Sequence, residues 1–331
     1  MSARRGLVAA AVVVVLLALV PLVFSTYFTG AVASRALYLG LAAASLTFLA
    51  GYGGMVSLAQ TALYGIAGFT MARFIVNSGM DPVLAALLAI AIAVAFGALF
   101  GAIASGSEGI YLLMLTLALG VITFYFFEQV SAFGGHEGIN AVRTPGFIGD
   151  PVRHPDAIYY LILVCSVAGY VLIRALVRTP FGLALQGVRD DPVRMRALGY
   201  NVRAHRTLGF AAGALLAALA GVLNVWHETR ISPGTIDVSA TIQLLTIAVI
   251  GGLYRIEGAW VGALIYTLLD TYTRGLTGRF ETWIGLILLA ILIVSPDGVT
   301  GLVGSLAARV RRPRVAHQSV AAPPPPREVA P

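Results

Sequence analysis

Ten apolar stretches recur along the chain, and they decide what it can fold into. They cover residues 7–24, 36–50, 58–76, 83–104, 110–127, 158–177, 207–226, 238–254, 258–272 and 283–304. A helix needs roughly 20 apolar residues to cross the hydrocarbon of a bilayer. In lipid every backbone N–H and C=O must bond inside the protein, which leaves helices or closed barrels. Runs of this length predict helices. With 58% of residues hydrophobic and only 11% charged, the chain cannot hide its apolar surface around one water-soluble core. The expected fold is all-α: a polytopic membrane bundle of about ten transmembrane helices. Two stretches, 36–50 and 258–272, are short, so broken or re-entrant helices are expected among the ten. The first, "GLVAAAVVVVLLALVPLVF", ends without an A-x-A cleavage pattern and reads as a retained helix.

Arginine sets the expected orientation. All 22 basic residues are arginine, and the net charge is +7. A surplus of this sign invites a nucleic-acid reading, but its placement argues against that partner. If the N terminus is cytoplasmic, ten crossings return the C terminus to the same side. Fifteen of the 22 arginines then face the cytoplasm, as the positive-inside rule demands. On this reading residues 1–308 are the membrane domain, 128–157 an outer loop and 178–206 a cytoplasmic loop. The tail 309–331, basic and then proline-rich, reads as disordered. The single cysteine, Cys165, excludes an internal disulfide.

Small residues recur at every fourth position: Gly209, Gly213, Ala217 and Gly221 in one span, and Gly97, Gly101, Ser105 and Gly109 at another. A third stripe begins with Gly258 and Gly262. Such stripes let helix backbones approach closely in lipid. They indicate a bundle and assign no function.

Two segments carry more. "GYGGMVSLAQTALYGIAG", residues 51–68, sits at membrane depth yet holds five glycines and several uncharged polar groups. Gly51, Gly53 and Gly54 would permit an unwound turn. Ser57, Gln60, Thr61 and Tyr64 follow i, i+3, i+4, i+7 spacing and would share a helical face. Irregular backbone at that depth is tolerated only inside protein or along a watery cavity. The stretch is therefore a candidate solute path, or else an interfacial loop followed by a packed helix. In the second segment, "RTPFGLALQGVRDDPVRMRALGYNVRAHR" at 178–206, Asp191-Pro192 is a helix start and Gly199 a helix stop. They delimit a two-turn helix at 192–198 that carries Arg194 and Arg196 and follows Arg189 and Asp190. A helix so short needs something to dock on.

These motifs resemble those of the branched-chain amino acid ABC transporter permeases, the LivH/LivM family, and the LivM type in particular, over about residues 36–300. The first segment is similar to the family's G-x-x-G-x-x-S-L element at Gly51, Gly54, Ser57, Leu58, Gly65 and Gly68, with Ala59-Gln60 where the family carries Gly-His. "GGHEGIN" at 134–140 resembles its outer-loop T-G-G-S-x-G stretch and adds Gly134, Gly135 and Gly138 to the candidate path. The cytoplasmic loop matches at Phe181, Gly182, Ala184, Leu185, Arg189, Ala197, Leu198, Gly199 and Asn201, with Leu183 at a usual arginine. "GGLYRIEGAWVGA" at 251–263 resembles a later glycine-rich element.

The resemblance implies a permease subunit of an ATP-driven importer in a bacterial inner membrane, for branched-chain amino acids or a related small polar solute. It implies a second, LivH-like permease, two LivG/LivF-like ATPases and an extracytoplasmic solute-binding protein as partners. Residues 192–198 would be the coupling helix. The chain has no lysine, hence no Walker sequence. ATP and magnesium would bind the partner subunits, and this chain would be no enzyme and would hold no cofactor. The rival reading is an ion-coupled secondary transporter, which would place ionisable residues in the bundle interior. Arg73, Glu108, Glu128 and Asp270 fall at expected span ends, where solvation at the interface accounts for them. A permease for urea or short amides is a further alternative. The five histidines are scattered and form no metal motif.

Overall fold

A computed structural model describes residues 14–146, 149, 155–276, 282, 285–286, 289 and 298–301. The principal helices are α1 (Arg35–Gly53), α2 (Gln60–Ser78), α3 (Pro82–Ala104), α4 (Gly109–Gln129), α5 (Pro155–Arg178), α6 (Pro180–Asp190), α7 (Pro192–Ala197), α8 (Val202–Glu228), α9 (Val238–Gly251) and α10 (Ile256–Leu276). A π-helical turn, Phe28–Ser34, runs straight into α1. No strand occurs among the described residues; two loops meet in a single bridge, Ile139 with Ile231.

The helix starts follow local chemistry. Asp81, Thr179 and Asp191 each precede a proline, and each side chain accepts hydrogen bonds from backbone N–H groups one turn ahead. Asn201 and Asp237 do the same for α8 and α9. The proline fixes φ where no N–H is needed, while the carboxylate or hydroxyl serves the orphan donors.

Six described helices are long and apolar enough to span a membrane: Phe28–Gly53, Pro82–Ala104, Gly109–Gln129, Pro155–Arg178, Val202–Glu228 and Pro233–Gly251. α2 and α10 reach spanning length, with 19 and 21 residues, but carry polar groups inside the bundle. Of the expected span at 7–24, residues 14–24 are described and include a short helix at Val20–Val23. The expected span at 283–304 lies largely, and the tail at 309–331 wholly, outside the described residues. The short stretch expected at 36–50 is instead part of a 26-residue helical run, because Phe28–Ser34 extends it despite its glycine, threonine and serine. Likewise the stretch expected at 258–272 belongs to a 21-residue helix. Both are continuous helices.

α8 is the hub. It packs on α1, α2 and α3, and α1 in turn packs on α10. The small-residue stripes lie at these seams. A Cβ on Gly213 would stand 3.1 Å from Leu49, and one on Gly101 would stand 2.6 Å from Phe210. Gly221 lies against the Tyr64 carbonyl, and Gly97 against Ala214. Without a hydrophobic force between helices in lipid, this closeness is what holds them. Gly109 departs from its stripe: α3 ends at Ala104, and Gly109 starts α4 in open space.

The bundle has two chemically distinct ends. At one, Arg206 bonds the Ser105 carbonyl and Glu108, Arg189 bonds the Gly51 carbonyl, and the Tyr254 backbone covers Gly51. At the other, Arg73 bonds the Ala132 carbonyl, His227 meets the Gly30 carbonyl, and Ile139 pairs with Ile231.

Candidate functional site

The irregular backbone of the 51–68 element begins later than its glycines suggest. Gly51 and Gly53 are helical, and α1 ends at Gly54, whose φ of +65° favours glycine. The Met55 N–H bonds back to the Leu49 carbonyl, closing the helix. The next helix starts at Gln60. Between them the Leu58 N–H donates to Thr116 Oγ1 of α4 at 3.1 Å, and the Ala59 N–H to Ser57 Oγ at 3.2 Å. This is how irregular backbone survives at membrane depth: other parts of the bundle supply its partners. Ser57 therefore sits in the connection, not on the helical face expected for it. Ser57 and Gln60 are fully buried. Both amide atoms of Gln60 and the hydroxyl of Thr61 have no hydrogen-bond partner.

The 178–206 segment holds two helices where one was expected. α6 buries Ala184, Leu185 and Val188, with Leu185 against Gly209 of α8. α7 follows at Pro192–Ala197, close to the expected 192–198. Asp191 Oδ1 accepts from the N–H of Val193 at 3.0 Å and of Arg194 at 2.9 Å. Gly199, at φ +88°, turns the chain out of it. No residue of α7 is buried. Val193 of α7 and Leu198, just past its end, are 67% and 66% exposed, whereas Met195 packs against Gly187 of α6.

Arg189 joins the two segments. Its guanidinium donates to the Gly51 carbonyl in the last turn of α1. Its stem covers Gly54, where a Cβ would come within 2.5 Å of Arg189 Cγ. Asp190 holds the guanidinium from the other side at 2.7 Å. A cation on the exposed carbonyls of a helix C-terminus is favourable on both hydrogen-bond and dipole grounds. The helix preceding α7 is thus pinned to the point where α1 stops. Arg196 bonds back to the Pro192 carbonyl at 3.2 Å, within α7.

A cavity of about 240 Å³ opens between α1, α2, α8 and α9. Its polar wall includes Arg35, Tyr38, Thr61, Tyr64, Asn224 and Gln243. Of the path residues expected from sequence, Thr61 and Tyr64 line it. Gly51, Gly53, Gly54, Ser57 and Gln60 do not. Gly134, Gly135 and Gly138 do not either: all three have positive φ, and Gly138 packs on the backbone of Ile231 and Ser232 beside the Ile139–Ile231 bridge. They shape the loop joined to the segment that leads to Gly234 and Thr235 at the cavity.

Sequence reasoning missed Arg35, Tyr38, Asn224 and Gln243 in the cavity wall, and it misplaced Asp270. Asp270, expected at a solvated span end, is fully buried and bonds Arg35 Nη1 at 2.8 Å. Its position inside an apolar run was the available signal, but its partner lies 235 residues away. Glu108 matches its expectation better: it is exposed at the bundle end and pairs with Arg206 at 2.6 Å.

Residues 28–296 match the model of a family described as the permease component of branched-chain amino acid transport systems. The chain is 22% identical over 287 residues to the Escherichia coli high-affinity branched-chain amino acid transport system permease protein LivM, covering 77% of this chain and 65% of that one. It therefore spans just under two thirds of that relative's length. It is 26% identical to the Pseudomonas aeruginosa permease protein BraD of the same kind of system, covering 79% and 91% of the two chains. It is also 26% identical to the Escherichia coli ribose import permease protein RbsC, covering 71% and 83%. No solved structure matches. With its apolar spanning helices, the chain is an integral membrane protein, and it belongs to the permease family of branched-chain amino acid transport systems.

Proposed function

We propose that this chain is a membrane subunit of an ATP-driven importer that moves branched-chain amino acids or a related small polar solute across a bacterial inner membrane. Its termini and the arginine-rich end would face the cytoplasm. α7 would dock in a groove of a separate ATPase. A second permease, two ATPases holding ATP and magnesium, and an outer solute-binding protein would complete the assembly. One observation carries the coupling: Arg189, one helix before α7, grips the end of α1 at Gly51 and Gly54. ATP-driven closure moves rigid bodies, and a docked helix transmits that motion only where it is tied to the bundle. The arginine clasp is such a tie. The exposed side chains of Val193 and Leu198 suit a helix meant to enter another protein's groove.

Purification of the tagged chain in mild detergent, followed by reconstitution, tests the reading. Two co-purifying ATPases and solute uptake that requires ATP are expected. A chain that comes alone, under conditions preserving a control ABC complex, would contradict it. One observation favours a second reading. The part-buried Arg35–Asp270 pair is the kind of interior ionisable group that ion-coupled transporters use. That reading predicts uptake driven by a pH or sodium gradient without any ATPase.

A further inference from the structure

The cavity between α1, α2, α8 and α9 combines three features that bear on what it holds. First, Arg35 is the charged group in its wall. The Arg35 side chain is 30% exposed, whereas Asp270 behind it is 0% exposed. A solute therefore meets the guanidinium and not the carboxylate. Second, the remaining polar wall consists of hydroxyls and amides, from Tyr38, Thr61, Tyr64, Asn224 and Gln243. Thr61 lines the cavity, with its own hydroxyl buried behind the wall. Third, about 240 Å³ falls below the ~300–1,000 Å³ of pockets for drug-sized molecules. It suits one small solute.

We propose that Arg35 is the carboxylate-reading group of a zwitterion site in this cavity. The site deepens the importer reading and rests on it for its place in transport. The charge arithmetic sets the class. Arg35 and Asp270 together are neutral. A lone anion would add one uncompensated charge to a poorly solvated wall, and so would a lone cation; a zwitterion adds none. The guanidinium has five N–H donors in a planar fork that matches a carboxylate, and the bond to Asp270 takes one. The ammonium of the same solute meets the oxygens of Tyr64, Asn224 and Gln243. Ala42 and Leu244 supply apolar surface for a short aliphatic side chain. Arg35 thus selects amino acids over the sugars and amides that a cavity of hydroxyls and amides alone would accept.

Cysteine protection in the full chain tests this without ATP or partner ATPases. Ala240, a small residue in the cavity wall, is replaced by cysteine in a Cys165→Ser background, and the chain is placed in lipid nanodiscs. Labelling by a small thiol reagent is followed with L-leucine, L-leucinamide, isobutyrate or D-ribose present at millimolar concentration. L-leucine is expected to slow labelling about fivefold or more, and the other three to have little effect. In the charge-neutral Arg35→Gln/Asp270→Asn variant, labelling without solute should be unchanged and protection by leucine lost. Arg35→Lys keeps a cation against Asp270 but loses the fork; about tenfold more leucine should be needed there. Equal protection by leucinamide or ribose, no protection by leucine, or protection that survives in the neutral pair would overturn the proposal. An importer whose leucine protection is absent keeps its ATP-dependent uptake, so the two readings fail separately.

Discussion

Replacing Arg189 with alanine separates transport from ATP hydrolysis. The side chain makes three useful contacts: with the Gly51 carbonyl, over the Gly54 backbone, and with Asp190. A hydrogen bond from a charged donor contributes about 1.5–3 kcal/mol when buried. The Arg189 side chain is 38% exposed, so solvent screening reduces that to about 1 kcal/mol. One kcal/mol corresponds to roughly a fivefold change in an equilibrium, since 1.4 kcal/mol is tenfold. The loss falls on the link between α6 and α1, not on either helix by itself. α6 keeps its buried Leu185 and Val188, and α7 keeps its Asp191 cap. In proteoliposomes with the partner ATPases, Arg189→Ala should therefore assemble normally and hydrolyse ATP at near the wild-type rate. Solute moved per ATP should fall about fivefold. Arg189→Lys should fall less, because an ammonium still reaches the carbonyl but cannot also fork onto Asp190. Unchanged transport per ATP in Arg189→Ala would refute the clasp. Loss of co-purifying ATPase would also refute it, because Arg189 would then act in docking rather than in transmission.

Asp191→Ala removes two bonds to the first turn of α7 and should weaken that helix by about 1 kcal/mol, seen as reduced recovery of ATPase with the tagged chain while the chain's own melting temperature holds. Gly221→Val drives a side chain into the Tyr64 carbonyl at the α2–α8 seam and should destabilise the chain by about 1–3 kcal/mol, measured by thermal loss of the monodisperse peak. Asp270→Asn leaves the Arg35 charge without its carboxylate and should cost roughly 2–3 kcal/mol, since Arg35 is partly exposed. Arg35→Gln/Asp270→Asn should recover most of that loss in the same thermal assay, and a neutral single substitution would show the pair to be energetically idle.

What could be read in the sequence follows the range of the interactions. Asp191-Pro192 and Gly199 delimit α7 because capping acts within one turn. The small-residue stripes at Gly213 and Gly221 lie at real helix contacts because the i+4 spacing already defines a face. α6 was hidden in a segment read as a loop, although Thr179-Pro180 starts it in the same way as Asp191-Pro192 starts α7. The break at Gly54 came later than three clustered glycines suggested. Glycine permits a left-handed turn without requiring one, and helix hydrogen bonds carry α1 through Gly51 and Gly53. The cavity wall was least readable. Arg35 and Asp270 meet only because α1 and α10 pack together, and Asn224 and Gln243 join through two further helices. No local pattern in the sequence encodes such a meeting.

Cross-linking from α7 in native membranes tests the central claim most directly. With Cys165 replaced by serine and Val193, exposed on α7, replaced by cysteine, a bifunctional thiol–amine reagent should capture the groove that receives the helix. The expected product, identified by mass spectrometry, is this chain joined to a protein bearing a Walker A sequence, formed from Val193→Cys and not from a cysteine at Ala132 at the opposite end of the bundle. Cross-links from Val193→Cys only to lipid or to the chain itself, in membranes where a control permease captures its ATPase, would contradict the account.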